Sequence, residues 1–105
     1  VLRSFRHVNP TIYVMMQGPN EFKVGGRLLH WDRWNDLGNI KVPTLMVGAK
    51  YDTMNPEDME EMSKLVAKGR YLYCPNGSHL AMWDDQENYY PGIIKFLKDV
   101  QGGSF

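Results

Sequence analysis

The stretch PTLMVGAKYD, residues 43–52, constrains this chain more than any other part of it. Pro43, Leu45, Met46, Val47 and Ala49 are apolar, with Thr44 and Gly48 between them, and the run reads as a buried strand. It stops at Tyr51-Asp52, which places a carboxylate just past the strand's carboxyl end. Ligands and reactive side chains collect at that edge of open parallel sheets. A second short strand is predicted over Arg70–Cys74, and Pro75 breaks it. The loop Pro75-Asn76-Gly77-Ser78-His79 follows, so a histidine stands after the second strand as an acid stands after the first. Strand, helix and strand in this order predict a parallel pair with a right-handed crossover.

The helix between the strands is the best marked in the chain. Asn55 is placed to cap it and Pro56 to take its first position. Glu57, Asp58, Glu60 and Glu61 load its amino-terminal half, and Lys64 and Lys68 its carboxyl-terminal half, as the helix dipole favours. Gly69 supplies the expected stop, and Met59, Met62, Leu65 and Val66 the expected buried stripe. An earlier helix is predicted after Asn9-Pro10, with Ile12, Met15 and Met16 on one face and Gly18-Pro19 ending it. Gly25-Gly26 marks a turn. Residues 27–39 are poorly periodic and read as irregular or as a helical turn, with Trp31 and Trp34 packed down as anchors. A last helix is expected from Asp84 or Asp85 to about Val100, with Ile93, Ile94, Leu97 and Val100 facing inward. Pro91 is expected to kink or divide it. Residues 101–105 read as a frayed tail.

Composition removes several function classes. The 105 residues carry 12 basic and 12 acidic side chains in no block of like charge, so neither nucleic acid nor an anionic membrane is an implied partner. Cys74 stands alone, which leaves no internal disulfide and no metal-ligand spacing; no metal and no cofactor are expected. A single cysteine favours a reducing compartment. No apolar run approaches the ~20 residues of a membrane span, and no secretion signal opens the sequence, so the expected location is cytoplasmic. Val1 stands where a start methionine would, so the amino end is expected to have been cut or processed, and the richness in aromatic residues and methionine fits either a dense small core or a piece of a larger one.

Asp52 and His79 form the pair that could carry chemistry. A buried carboxylate bonded to one imidazole nitrogen fixes the tautomer and frees the other nitrogen to take a proton from a nucleophile. On these residues alone a second reading stays open, in which Asp52 caps its own turn and His79 is a surface side chain. Acid before histidine, each at the end of successive strands, is the order found in α/β hydrolases. The nucleophile of such an enzyme is not found here: no G-x-S-x-G occurs in the sequence. Ser4 and Ser104 lie near the termini, Ser63 is mid-helix, and Ser78 lacks a strand-turn-helix elbow. Cys74 reads as a small buried apolar residue.

The segments MQGPNEF (16–22), HWDRWNDLGNIKVPTLMVGAKYDTMNP (30–56) and RYLYCPNGSHLAMWDD (70–85) resemble proline iminopeptidases and their L-amino acid amidase relatives. The resemblance covers nearly the whole chain and the family's carboxyl-terminal third. It implies an α/β fold, with residues 1–36 the end of the lid and residues 37–105 the carboxyl-terminal part of an α/β-hydrolase core with an incomplete parallel sheet. It further implies Asp52 as triad acid, His79 as general base and Glu21 as the lid carboxylate that binds the substrate's free α-ammonium group. The implied partners are a peptide or amino acid amide substrate and the missing amino-terminal part of the hydrolase. Some relatives carry a second glutamate directly after the triad aspartate; here Thr53 stands there. With less negative charge at the amine site, amidase-like or broader aminopeptidase use becomes an expectation beside prolyl specificity. The alternative function is a non-catalytic binding module. A parallel pair with open edges is expected to self-associate when the chain is isolated.

Overall fold

The computed structural model describes residues 2–20 and 22–105. It divides into two compact units, residues 1–33 and 34–105; the boundary expected from the sequence lay between residues 36 and 37.

In the first unit a short helix α1 (Leu2–Phe5) precedes α2 (Pro10–Met16). The Asn9 side chain accepts the Ile12 backbone N–H at 3.1 Å, and Pro10 occupies the first turn, where its missing N–H costs nothing. Helix α2 is capped at Gln17 and followed by Gly18, whose φ of 106° only glycine adopts readily. The chain then turns back along the end of α2. Arg27 and Leu28 donate their N–H groups to the Met15 and Met16 carbonyls at 3.0 and 2.9 Å, so carbonyls a helix leaves orphaned are satisfied. Phe5, Val8, Pro10, Tyr13, Val14, Pro19, Asn20 and Phe22 line an apolar groove of about 520 Å³. Trp31 does not pack down as expected: it is 68% exposed.

The second unit opens with a 3₁₀ helix over Trp34–Asn39, which is the helical turn expected there. Trp34 is likewise exposed and not the buried anchor predicted for it. Strand β1 (Thr44–Ala49), helix α3 (Pro56–Leu65) and strand β2 (Gly69–Cys74) follow, and β1 pairs with β2 in parallel, Thr44 opposite Gly69 through Ala49 opposite Cys74. The side chains alternate across this pair. On one face Gly48 leaves room for Tyr71, whose hydroxyl donates to the Pro56 carbonyl at 3.0 Å and ties the sheet to the start of α3. On the other face Ala49, Cys74 and Ala81 form the buried centre, with Val47, Leu72 and Tyr89 packed against it.

Two details of α3 differ from the sequence expectation. The helix ends at Leu65, not Gly69, which begins β2. A Cβ at Gly69 would collide with the Ser63 carbonyl, so this glycine allows the strand to start close against the helix. The inward stripe is Met59, Met62, Ser63 and Val66, while Leu65 is exposed. Ser63 enters the stripe at no polar cost, because its hydroxyl donates to the Glu60 carbonyl at 2.5 Å.

After the His79 loop come α4 (Ala81–Asp84) and α5 (Gln86–Gly102). Pro91 does not divide α5: it sits in the second turn, where it forfeits one backbone bond while the helix runs on. The inward face is Tyr89, Gly92, Ile93 and Phe96; Ile94, Leu97 and Val100, expected inside, are exposed. Gly92 decides this rotation, since a Cβ there would strike the Leu72 side chain of β2. The carboxyl end is folded and not frayed. Gly103 takes the left-handed conformation (φ 73°) and caps α5, with Ser104 N–H bonded to the Asp99 carbonyl. Arg70 bonds Asp99 at 2.5 Å and the Ser104 carbonyl at 2.8 Å, and its guanidinium lies 4.2 Å from the Phe105 ring centre. Phe105 meets Phe96 edge-on.

Candidate active site

Asp52 and His79 lie just beyond the carboxyl ends of the two parallel strands. Parallel pairing carries Ala49 and Cys74 to the same level; two backbone bonds then join the loops beyond them and a third closes the turn after β2. Lys50 donates to the Cys74 carbonyl at 3.2 Å, Tyr51 to Gly77 at 2.9 Å, and Gly77 to Cys74 at 3.2 Å. Gly77 is buried where a Cβ would come 2.9 Å from that of Ala81 and 3.1 Å from that of Cys74. Its small size is what allows the histidine loop to close over the end of β2.

His79 Nδ1 then stands 3.2 Å from Asp52 Oδ1 and 3.4 Å from Oδ2. The two residues are 27 positions apart in sequence, so the contact is a product of the strand-helix-strand unit. Asp52 is fixed from its own side by local bonds: Oδ1 accepts the Met54 N–H at 3.1 Å and the Thr53 hydroxyl at 3.4 Å. The exposures differ sharply, 12% for the Asp52 side chain against 71% for His79. A sheltered carboxylate therefore holds one edge of an imidazole whose remainder faces outward. With Nδ1 turned to Asp52, Nε2 is free to exchange a proton with a group placed before it.

The loop carrying His79 is held by two consecutive carboxylates. Asp85, 4% exposed, accepts the Asn76 N–H at 3.1 Å and the Asn88 side-chain amide at 2.8 Å. Asp84 accepts the Ser78 N–H at 3.0 Å and the Ser78 hydroxyl at 2.5 Å. These bonds hold the Asp84 carboxyl below its ordinary range. Burial, and next the charges of Asp85 and Asp84, push the Cys74 thiol upward, so it is a protonated core group and no nucleophile. Sequence reasoning missed Asp84 and Asp85. The signal available was only that a short acidic pair follows the histidine, and contacts six and nine residues apart are not periodic. Glu21 lies outside the described residues. Among those described, no group of three or more His, Cys, Asp and Glu side chains is arranged to hold a metal ion. No described helix is long and apolar enough to cross a membrane.

Comparison with known proteins finds relatives along nearly the whole chain. Over 93% of its length the chain is 64% identical to a proline iminopeptidase of Flavobacterium johnsoniae, and over 98% it is 62% identical to one of Elizabethkingia meningoseptica. A proline iminopeptidase of Saccharolobus solfataricus is 34% identical over 95% of the chain. The chain is related to the proline iminopeptidases. It spans about a third of their length: 33%, 35% and 33% of these three. No family model matches it. Among solved structures, the crystal structure of VinJ superposes on 94% of the chain and 34% of its own, with a TM-score of 0.84 and 31% identity. The parallel pair and its helices are thus part of an α/β-hydrolase fold, as the order of acid and histidine and the resemblance implied.

Proposed function

We propose that these residues are the carboxyl-terminal third of a serine aminopeptidase that releases amino-terminal residues, proline among them, from peptides or amides. The observation that carries this reading is the Asp52–His79 pair at the ends of adjacent parallel strands, in a chain related to proline iminopeptidases. In this mechanism a serine supplied from outside the 105 residues attacks the scissile carbonyl and gives its proton to His79 Nε2. Asp52 orients the imidazole and stabilises it once it is charged. His79 then passes the proton to the leaving amine, and water releases the acyl group by the same route in reverse. Glu21 is assigned the substrate's α-ammonium group, which in a sheltered site needs a paired anion. Thr53 leaves a single carboxylate for the amine, which favours a broader range of amino-terminal residues. Residues 1–36 are accordingly assigned to the end of the lid and 37–105 to the hydrolase core, in a cytoplasmic enzyme.

The test is turnover of prolyl and alanyl arylamides by the full-length protein that carries this segment. His79→Ala and Asp52→Asn are each expected to lower kcat by about 10⁴-fold. Glu21→Gln is expected to raise KM for substrates with a free amine and to spare blocked ones. The 105-residue chain alone is expected to be inactive. Turnover by that chain, or full activity of the His79 variant, overturns the assignment. The alternative, a self-associating module without catalysis, draws on the exposed Ile94, Leu97 and Val100 of α5, and inactivity of the full-length protein would favour it.

A further inference from the structure

The exposure of His79 poses a physical problem. Packing fixes most side chains near a reacting centre, but this imidazole is 71% exposed, and among the described residues its ring is hydrogen-bonded to Asp52. Its direction must therefore come from the backbone at residue 79. That backbone lies beyond the sheet, because Pro75 has no N–H to continue the ladder.

Bonds to side-chain carboxylates and one backbone turn take the ladder's place. Asn76 N–H is taken by Asp85 and Gly77 N–H by the Cys74 carbonyl. On the two sides of His79 the bonds converge on one residue. Ser78 N–H donates to Asp84 Oδ1 at 3.0 Å, and the Ser78 hydroxyl donates to Asp84 Oδ2 at 2.5 Å. The same hydroxyl oxygen accepts the Leu80 N–H at 3.1 Å. Asp84 thus fixes the residue before His79 directly and the residue after it through the serine oxygen. Bonds to an ionised carboxylate are about twice as strong as neutral ones, which suits a clamp working at the surface.

We infer that Asp84 is a positioning residue: its two oxygens clamp Ser78 and so set the backbone from which His79 reaches Asp52. It touches neither the imidazole nor the substrate, and it acts through the loop. The inference rests on the proposed function for its kinetic consequence but not for its geometry.

The experiment compares Asp84→Ala, Asp84→Asn and, as a control, Glu87→Ala in the full-length protein. Three readouts are taken: kcat and KM on a prolyl arylamide, the thermal midpoint, and the low-field proton signal of the His79 Nδ1–H, identified by its loss in His79→Ala. Misplacement of a catalytic group by about 1 Å can cost 10²-fold. Asp84→Ala is expected to lower kcat by 10- to 100-fold with KM and midpoint little changed, and to shift or broaden the Nδ1–H signal. Asp84→Asn keeps an acceptor for the Ser78 N–H and is expected to recover most of the loss; Glu87→Ala is expected to match wild type. Wild-type kcat and an unmoved Nδ1–H signal in Asp84→Ala overturn the inference. So does a fall in kcat that tracks the thermal midpoint and is not recovered by asparagine. If the wild-type protein has no aminopeptidase activity while Asp84→Ala still moves the Nδ1–H signal, the proposed function fails and the positioning role stands.

Discussion

Close approach and hydrogen bonding at single residues decide the geometry of the candidate site. Gly77 is the clearest case, since any side chain there meets Ala81, Cys74 and Asp85 at once. Gly77→Ala is expected to cost about 1–3 kcal/mol, the usual range for overpacking a filled site, read as a lowered midpoint of chemical unfolding. An unchanged midpoint would show that the loop can shift to admit the methyl group. Asp84 supplies a prediction on pH. Its folded pKa is depressed by the Ser78 bonds, so the clamp's contribution is complete above the unfolded carboxyl value of about 3.9 and is lost as pH falls through the lower folded value. The Ser78 and Leu80 amide resonances are expected to stay constant from neutral pH to about 4 and to move only below it. Movement already near neutrality would mean that another group controls the loop.

At the scale of elements, caps and close contacts set where helices begin, stop and face. Asn9 and Asn55 were legible because a cap is a bond between residues two or three apart, which the sequence displays directly. The inward faces of α3 and α5 were legible only in part. Apolar periodicity allots Leu65, Ile94 and Leu97 to a core, yet Gly92 against Leu72 and Ser63 against β2 turn other side chains inward. The carboxyl-terminal tail belongs to this scale as well. Glycines at 102 and 103 suggest fraying, whereas a left-handed Gly103 and the Arg70 guanidinium bring Phe105 back onto Phe96. Arg70→Ala is expected to release the tail, seen as fast amide exchange at Ser104 and Phe105 while the β2 amides stay protected. Acid is expected to weaken the same lock. Bonds from Lys95 and Arg70 depress the Asp99 carboxyl, so their contribution is present above about pH 4 and lost below it.

For the whole molecule, the two units raise different questions. The second carries a parallel pair, an arrangement that elsewhere occurs with both faces covered. Its α5 presents Ile94 and Leu97 outward, at 49% and 57% exposure. The isolated 105-residue chain is accordingly expected to self-associate, with light scattering giving a mass above 12.2 kDa that rises with concentration. Replacing Ile94 and Leu97 together by glutamate is expected to reduce the association. A concentration-independent monomer would count against it.

The sequence by itself determined the strand, helix and strand around residue 52, the capping of α2 and α3, and the order of acid and histidine. Each is written in local pattern: short apolar runs, Asn-Pro starts, a proline after a strand. It also determined the kinship to proline iminopeptidases, through the segments 16–22, 30–56 and 70–85. Only the tertiary structure decided the rest. It brought Asp52 within 3.2 Å of His79, hung the histidine loop on Asp84 and Asp85, and chose which faces of α3 and α5 point inward. Those outcomes depend on which atoms meet across tens of residues, where one missing Cβ at Gly69, Gly77 or Gly92 settles what fits and no periodicity records it.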